Sequence, residues 1–191
     1  MALLPVIKYG HPTLRKKAQA VHPGELPESF LQDMVETMEA LDGVGLAATQ
    51  VDVAKQLIVA RDIDHKKLHI LINPKIVAYS EKKESDIEGC LSLPGLQAEV
   101  PRHLKIIVRA QTPAGEEVEI TARGHFARVL QHEIDHLNGI LYIDRADQET
   151  LAWIIEDDRK EESTIRATRD DIQRQYASRY HAGVKGLRFE A

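Results

Sequence analysis

Residues 124–139 read GHFARVLQHEIDHLNG, and the apolar positions of this segment follow the spacing of an α-helix. The apolar stripe consists of Phe126, Val129, Leu130 and Leu137. Asn138-Gly139 follows the last apolar position and is typical of a helix end. We therefore predict a helix that turns one face toward the core and stops near residue 138.

The same segment carries two histidines and a glutamate in the order His132-Glu133-x-x-His136. Residues four apart project from one face of a helix, so both imidazoles can reach one divalent metal ion. Glu133 lies about 100° around the helix, where its carboxylate can reach a metal-bound water without binding the metal. A surface helix can also carry two histidines without a metal, so this pattern alone leaves a non-catalytic helix open.

A third metal-binding candidate lies in the segment Glu88–Pro94, which reads EGCLSLP. Cys90 is the single cysteine of the chain, which excludes an intrachain disulfide and fits a reducing compartment. A lone cysteine is more often a small buried hydrophobe than a ligand. As a thiolate it would complete a set with His132 and His136 that suits zinc or ferrous iron, with the fourth position left for water.

Residues 43–50 read GVGLAATQ, in which two glycines flank one valine. Glycines permit a close backbone approach to another group, although a plain turn from helix to strand explains this segment about as well. The segment lacks the Gly-Lys-Ser/Thr ending of a phosphate loop and the glycine spacing of a dinucleotide site.

Length and composition limit the class of protein. A chain of 191 residues is long enough for one domain with a core and a C-terminal extension. The net charge of -5 gives no support for general nucleic-acid binding, so we expect no DNA partner. The first residues show no secretory leader, and no apolar run approaches the ~18 residues of a membrane helix. We expect a cytoplasmic protein.

The periodicity of the rest of the chain predicts a mixture of helices and short strands. We predict a helix over 27–41, strands over 57–60, 68–72 and 140–143, and a hairpin with arms over 104–110 and 116–122. The charged residues 81–86 are expected to form a solvated loop. A second helix is expected to begin after Asp147, to dock at its start and to project into solvent, with residues 183–191 frayed.

Three segments together resemble the bacterial type of peptide deformylase. They are GVGLAATQ at 43–50, EGCLSLP at 88–94 and QHEIDH at 131–136, in the order of that family. The resemblance extends over about residues 3–160. It implies an α+β fold in which antiparallel β-sheets surround the central metal-binding helix, with an N-terminal and a C-terminal helix. We expect a deformylase-like catalytic domain over 1–163 and a helical extension over 164–191.

The resemblance also implies a reaction, namely hydrolysis of the formyl group from the N-terminal formyl-methionine of newly made polypeptides. Formate is released when metal-bound water attacks the formyl carbon. Glu133 would be the general base and then the general acid. The implied metal ligands are Cys90, His132 and His136, and the implied metal is Fe²⁺, which Zn²⁺, Ni²⁺ or Co²⁺ can replace.

Further roles are implied for residues of the first two segments and of the helix. The side chain of Gln50 and the backbone N–H of Leu91 would hold the developing oxyanion. Gly45 and Gly89 would bind the peptide backbone. The residues that would enclose the methionine side chain are Val44, Glu88 and Val129. The implied partners are N-formylmethionyl nascent chains and, through the C-terminal segment, the ribosome.

The sequence departs from the family pattern at a few positions. Gln97 stands where many bacterial members have arginine, close to the direction in which the substrate continues. His125 and Arg128 occupy helix positions that are apolar in some members. We expect the stem of Arg128 to pack while its guanidinium reaches solvent or an acid.

Two other classes of protein share part of this pattern. The first is a zinc endopeptidase, because His132-Glu133-x-x-His136 is also its signature and Glu156 follows at a spacing used for a third ligand. Cys90 is favoured over Glu156, which stands in a run of charged residues that a solvated helix already explains. The second is a non-catalytic protein with a closed structural metal site, which would require a fourth protein ligand.

Overall fold

The computed structural model of the protein describes residues 3–22, 24–156 and 162–181, with the backbone alone at residue 156 and over 177–181. The helices are α1 (Glu28–Ala40), α2 (Gly124–Leu137), α3 (Tyr142–Arg145) and α4 (Arg169–His181). The strands are β1 (Gly45–Ala47), β2 (Leu57–Asp62), β3 (Lys67–Tyr79), β4 (Lys83–Cys90), β5 (Leu93–His103), β6 (Lys105–Gln111), β7 (Glu117–Arg123), β8 (Ala152–Glu156) and β9 (Glu162–Arg166).

The strands form two antiparallel sheets. One has the order β1-β2-β3-β6-β7 and the other has the order β4-β5-β8-β9. Helix α2 contacts strands of both sheets, and each of its residues from Phe126 to Leu137 is buried. The expected α+β fold, with antiparallel sheets around a central helix, is confirmed.

The central helix is held at both ends by glycines in the left-handed backbone region, Gly124 (φ 52°) and Gly139 (φ 72°). A side chain at Gly139 would lie within 2.6 Å of the carbonyl oxygen of Arg15, so only glycine fits there. Between the two ends, Phe126, Leu130 and Leu137 join a core cluster with residues of β2 and β6. The predicted helix and its stop at Asn138-Gly139 are confirmed.

Other predicted elements are also confirmed. The helix predicted over 27–41 is α1, whose Leu31, Met34 and Met38 pack in a second cluster with residues of β1 and β2. The strands predicted over 57–60 and 68–72 lie within β2 and β3. The predicted hairpin is β6–β7, in which Val108 pairs with Ile120.

Three predictions of local structure are wrong. Residues 83–86 belong to strand β4 and not to a loop, although they are solvent-exposed as expected. This strand lies at the edge of its sheet, where charged side chains are tolerated. Residues 142–143 begin helix α3 and not a strand, because the Asp144 carboxylate accepts the backbone N–H of Leu141 and caps a helical turn.

The third error concerns residues 152–156, which form strand β8 instead of the start of a helix. Trp153, Ile154 and Ile155 have bulky or β-branched side chains that favour strands, and β5 supplies the pairing partner. The C-terminal helix is α4, which begins only at Arg169.

The expected boundary between residues 163 and 164 lies inside β9. Beyond it, Ile172 and Tyr176 of α4 are buried in a third core cluster that also contains Leu96 and Leu141. The division into a catalytic domain and an extension stays a prediction, and the expected frayed end over 183–191 lies outside the described residues.

Within the ranges that the structure describes, no helix has the length and apolar character needed to cross a lipid bilayer.

Candidate metal centre and active site

The three candidate ligands meet at one point, although they come from two elements. Cys90 is the last residue of β4, and His132 and His136 lie one turn apart on α2. The Nε2 atom of His136 lies 3.3 Å from the Cys90 sulfur and 3.2 Å from Nε2 of His132. One ligand atom from each residue lies within 4.8 Å of the other two.

The two separations that involve His136 fit a single tetrahedral ion. With metal–nitrogen and metal–sulfur distances typical of zinc, nitrogens would lie roughly 3.3 Å apart and nitrogen and sulfur roughly 3.6 Å apart. The observed 3.2 Å and 3.3 Å are close to these values. Two imidazoles and one thiolate leave a fourth position open, as in catalytic sites.

The orientation of His132 is fixed from both sides of its ring. Its Nδ1–H donates to Glu88 Oε2 at 2.9 Å, which turns Nε2 toward the metal position. The ring stacks on Tyr142 at 5.9 Å between centroids, and the Tyr142 hydroxyl donates to the carbonyl of Leu96. A histidine held in this way presents the correct nitrogen without further ordering.

Glu88 is the centre of a buried charge network. Its carboxylate accepts two hydrogen bonds from Arg102, at 2.9 and 3.0 Å, and one from Arg128 at 2.8 Å, in addition to the one from His132. Burial alone would raise the pKa of Glu88, but the bonds from His132 and Arg102 outweigh it and hold the pKa far below its usual range. Glu88 is therefore ionised and supports His132.

Arg128 is more deeply engaged than expected. Its side chain is buried, and its guanidinium donates to the carbonyls of Glu84 and Val100 as well as to Glu88. The prediction that the guanidinium would reach an acid is confirmed. These bonds fix α2 to β4, the strand that carries Glu88, and to the neighbouring strand β5.

The two imidazoles have opposite pKa shifts. Burial lowers the pKa of His136 far below its usual range, and the charges of His132 and Arg102 lower it further. Burial also acts against protonation of His132, but contacts with Cys90 and Glu88 raise its pKa well above the usual value. The His136 imidazole is thus neutral, which is the form of histidine that binds metals.

Glu133 lies beside the centre with one carboxylate oxygen unsatisfied. Its Oε2 atom is buried and has no hydrogen-bond partner among the described residues. Such an atom is costly unless water or substrate contacts it. Burial raises the pKa of Glu133 to about 7, against the opposing charge of His132. A carboxyl group with this pKa can accept and return a proton near neutral pH.

Gly45 of β1 packs directly against Glu133. A Cβ atom at position 45 would lie 2.8 Å from both Cγ and Cδ of the Glu133 side chain, closer than carbon atoms pack. Gly45 is not among the residues with a left-handed backbone, so its requirement is steric. Because Gly45 has no side chain, the Glu133 side chain can occupy the space beside β1.

Gln50 lies on the opposite side of the centre in a 3-10 turn, Ala48–Val51. Its side-chain carbonyl accepts the backbone N–H of Ala47 at 2.9 Å, which fixes the amide. The amide NH₂ then points to the Cys90 sulfur at 3.5 Å and to the Ser92 hydroxyl at 3.3 Å. The Gln50 amide is thus a hydrogen-bond donor held beside the candidate ligand Cys90.

A cleft of about 700 Å³ opens over the metal centre, a size that holds a drug-sized ligand. All of the predicted site residues line this cleft except His136, which is buried. The lining members are Val44, Gly45, Gln50, Glu88, Gly89, Cys90, Leu91, Val129, His132 and Glu133. The structure thus brings together every residue that the sequence nominated.

The supporting residues were not found from the sequence. Arg102, which neutralises Glu88, also donates to Asp135, and Asp135 in turn accepts two bonds from Arg145. Ser92, which holds the Gln50 amide, was not identified either. Of these residues, Asp135 could have been identified, because an acidic side chain in the middle of a buried helix segment requires a partner.

A group of potential metal ligands from β4 and the buried helix α2, with an unsatisfied carboxylate beside it, is typical of a metal-dependent hydrolase. The family model described as polypeptide deformylase matches residues 3–152. The chain belongs to the polypeptide deformylase family, whose members are metal-dependent enzymes that remove the N-formyl group from nascent peptides.

Individual relatives agree with this assignment. The peptide deformylase of Natranaerobius thermophilus is 45% identical over 149 residues, which cover 78% of this chain and 95% of the relative. That of Carboxydothermus hydrogenoformans is 45% identical over 150 residues, covering 77% and 95%. The crystal structure of the Thermotoga maritima peptide deformylase has a TM-score of 0.74 at 39% identity and covers 77% of this chain and 99% of that one.

Proposed function

We propose that Cys90, His132 and His136 hold the metal ion of this deformylase and that Glu133 moves the protons of the reaction. The arrangement of the three ligand atoms within 4.8 Å of one another, with the unsatisfied Glu133 carboxylate beside them, carries the proposal. When bound there, a divalent ion supplies Lewis-acid polarisation and a nucleophilic water at neutral pH.

Residues around the centre provide proton transfer and stabilisation of the developing negative charge. Glu133 accepts the proton of the attacking water at Oε2 and returns it to the departing amine nitrogen, so the amide bond breaks and formate leaves. The Gln50 amide and the backbone N–H of Leu91 donate to the oxygen that becomes negative on the formyl group. Each such donor contributes roughly 3 to 4 kcal/mol in other acyl-transfer sites.

The substrate is an N-formylmethionyl peptide. From the resemblance to the family we infer that its methionine side chain contacts Val44 and Val129, which line the cleft. Gly45 and Gly89 would meet its backbone. Glu88 also lines the cleft, but its carboxylate is bonded to His132, Arg102 and Arg128. We therefore assign to Glu88 the support of His132 in addition to its place in the wall.

We infer Fe²⁺ as the metal in the cell, with Zn²⁺, Ni²⁺ or Co²⁺ able to replace it, because a thiolate and two imidazoles accept each of these ions. Anaerobic purification followed by elemental analysis tests this inference. Iron at about one equivalent is expected, and zinc alone from cells grown with both metals would overturn it.

The test of the catalytic proposal compares two substitutions in a formate-release assay on a formyl-methionyl dipeptide. Glu133→Ala is expected to abolish turnover while bound metal stays near the wild-type amount. Cys90→Ala is expected to lose the metal as well as activity. Retained turnover in Glu133→Ala, or retained metal in Cys90→Ala, would contradict the assigned roles.

Bound metal measured in Cys90→Ala and in Glu156→Ala separates the deformylase from a zinc endopeptidase that uses Glu156 as its third ligand. Glu156 ends strand β8, and its side chain lies outside the described residues. The closed structural site finds no support either, since the cluster found among the described residues contains three ligands. A three-ligand centre leaves room for substrate chemistry.

We further infer that the enzyme meets its substrate in the cytoplasm, where nascent chains are made, and that the segment beyond α4 contacts the ribosome. Lys185 and Arg188 lie in that segment, outside the described residues. Cosedimentation with ribosomes should weaken when the chain is truncated after residue 181. Equal binding by the full chain and the truncated chain would overturn the ribosome contact.

A further inference from the structure

The hairpin formed by β8 and β9 borders the catalytic cleft. The match to the family model ends at residue 152, where β8 begins. Ile154 of β8 lines the cleft together with Cys90 and Glu133. The hairpin thus contributes a side chain to the wall of the site.

The pairing of β8 determines which of its side chains faces the cleft. Strand β8 joins β5 through the pairs Leu96–Trp153 and Gln97–Ala152. Successive side chains of a strand point to opposite faces. Trp153 packs on Tyr176 of α4, with 6.3 Å between the ring centroids. Ile154 therefore faces away from α4 and into the cleft, and Ile155 returns to the Trp153 face and is exposed.

The part of the cleft next to Ile154 is apolar and held in place. The apolar residues that line the cleft with Ile154 include Leu91 and Pro94. The side chains of Leu93 and Leu96 are buried beneath them in the core cluster against which Trp153 packs. Lys8 donates to the carbonyl of Leu91, and the Tyr142 hydroxyl donates to the carbonyl of Leu96. This part differs in its residues from the methionine side of the cleft at Val44 and Val129. A wall of this kind favours an apolar group over water or a charge.

We propose that Ile154 is a specificity-determining residue that binds an apolar side chain from one of the two residues following formyl-methionine. This inference rests on the proposed function, since it assigns a neighbouring subsite of the same cleft. Gln97, next to Leu96 on β5, pairs with Ala152 of β8, so this departure from the family pattern lies beside the strand that carries Ile154.

The experiment measures kcat/KM for two pairs of formylated tripeptides. One pair is formyl-Met-Leu-Ala and formyl-Met-Ser-Ala, and the other is formyl-Met-Ala-Leu and formyl-Met-Ala-Ser. Wild-type enzyme is expected to prefer leucine over serine in at least one pair. Ile154→Ser should reduce that preference about tenfold, the lower end of what one apolar contact gives in enzyme specificity.

Ile155→Ser is the matched control, since it makes the same change on the adjacent residue of the opposite face. It should leave the leucine-to-serine ratio unchanged. Ile154→Val, which keeps an apolar surface, should retain most of the preference. Thermal unfolding of each variant shows whether the hairpin still folds, and turnover of formyl-Met-Ala-Ser shows whether the catalytic centre is intact.

Equal ratios for wild type and Ile154→Ser in both pairs would overturn the subsite. An equal fall in Ile155→Ser would also overturn it, because the effect would then belong to the hairpin as a whole. If wild-type enzyme releases no formate from any of the four peptides, the proposed function fails instead. The two failures are therefore distinguishable.

Discussion

Substitution of Gly45 by alanine tests whether β1 sets the position of the catalytic carboxylate. The new Cβ atom would lie 2.8 Å from Cγ and Cδ of Glu133. Carbon atoms in contact lie about 3.5 to 4.0 Å apart, so the side chain must move by roughly 1 Å. A displacement of that size in an active site costs about 100-fold in rate. Overpacking of this kind destabilises a fold by about 1 to 3 kcal/mol.

The assay combines formate release, bound metal and denaturant unfolding of Gly45→Ala. We expect kcat to fall about 100-fold while metal content is unchanged, because no ligand touches Gly45. A double-mutant cycle with Glu133→Ala isolates the contact. Once the Glu133 side chain is removed, the added methyl group should no longer destabilise the protein.

Two results would refute this reasoning. The first is a Gly45→Ala enzyme with activity close to wild type, which would mean that Glu133 does not need its present position. The second is an equal loss of stability from Gly45→Ala with and without the Glu133 side chain. The strain would then arise elsewhere on β1.

Three further predictions concern the supporting residues. Glu88→Gln should weaken metal affinity about 10- to 100-fold in a chelator competition, because the anion that orients His132 is lost; unchanged affinity would argue against this support. Gln50→Ala should lower kcat about 100-fold, with a smaller change in KM; a change confined to KM would assign the amide to ground-state binding. Asp144, whose pKa is lowered by its bonds to Arg15 and to a backbone N–H in spite of burial, should stabilise the fold at neutral pH. Asp144→Asn should therefore cost about 1 kcal/mol at pH 7, and the difference should disappear as the pH falls below 3.8, measured by urea unfolding; a constant difference would exclude the carboxylate charge as its cause.

The central helix and its ligands could be predicted because their signals are local. His132, Glu133 and His136 stand within five positions, and the apolar stripe that buries them has the same period. Cys90 could not be predicted from spacing, because a single cysteine has no neighbouring ligand in the sequence with which to form a spacing pattern. The surrounding motif, matched as a whole, indicated it. The other predicted residues of the cleft were also identified from short sequence motifs.

The supporting network could not be predicted because its partners meet only in the folded chain. Arg102 lies in β5 at a position that reads as one charged residue among several. Its partners Glu88 and Asp135 come from another strand and from α2. Strand β4 was missed for a related reason, since β5 provides its pairing and its side chains remain polar. The local amino-acid composition therefore predicts neither the partners of Arg102 nor the pairing of β4.

The placement of the ligands on different layers has a consequence for how the protein matures. Cys90 belongs to the β4–β5 sheet and His136 to the helix that packs on the other sheet, 46 positions later in the chain. A metal ion held by all three residues would join β4 to α2 and close a long loop, so loading would favour the folded state over the unfolded chain. Chelators should accordingly lower the resistance of the protein to heat, and a newly synthesised chain would complete the proposed centre only once α2 has packed beside β4.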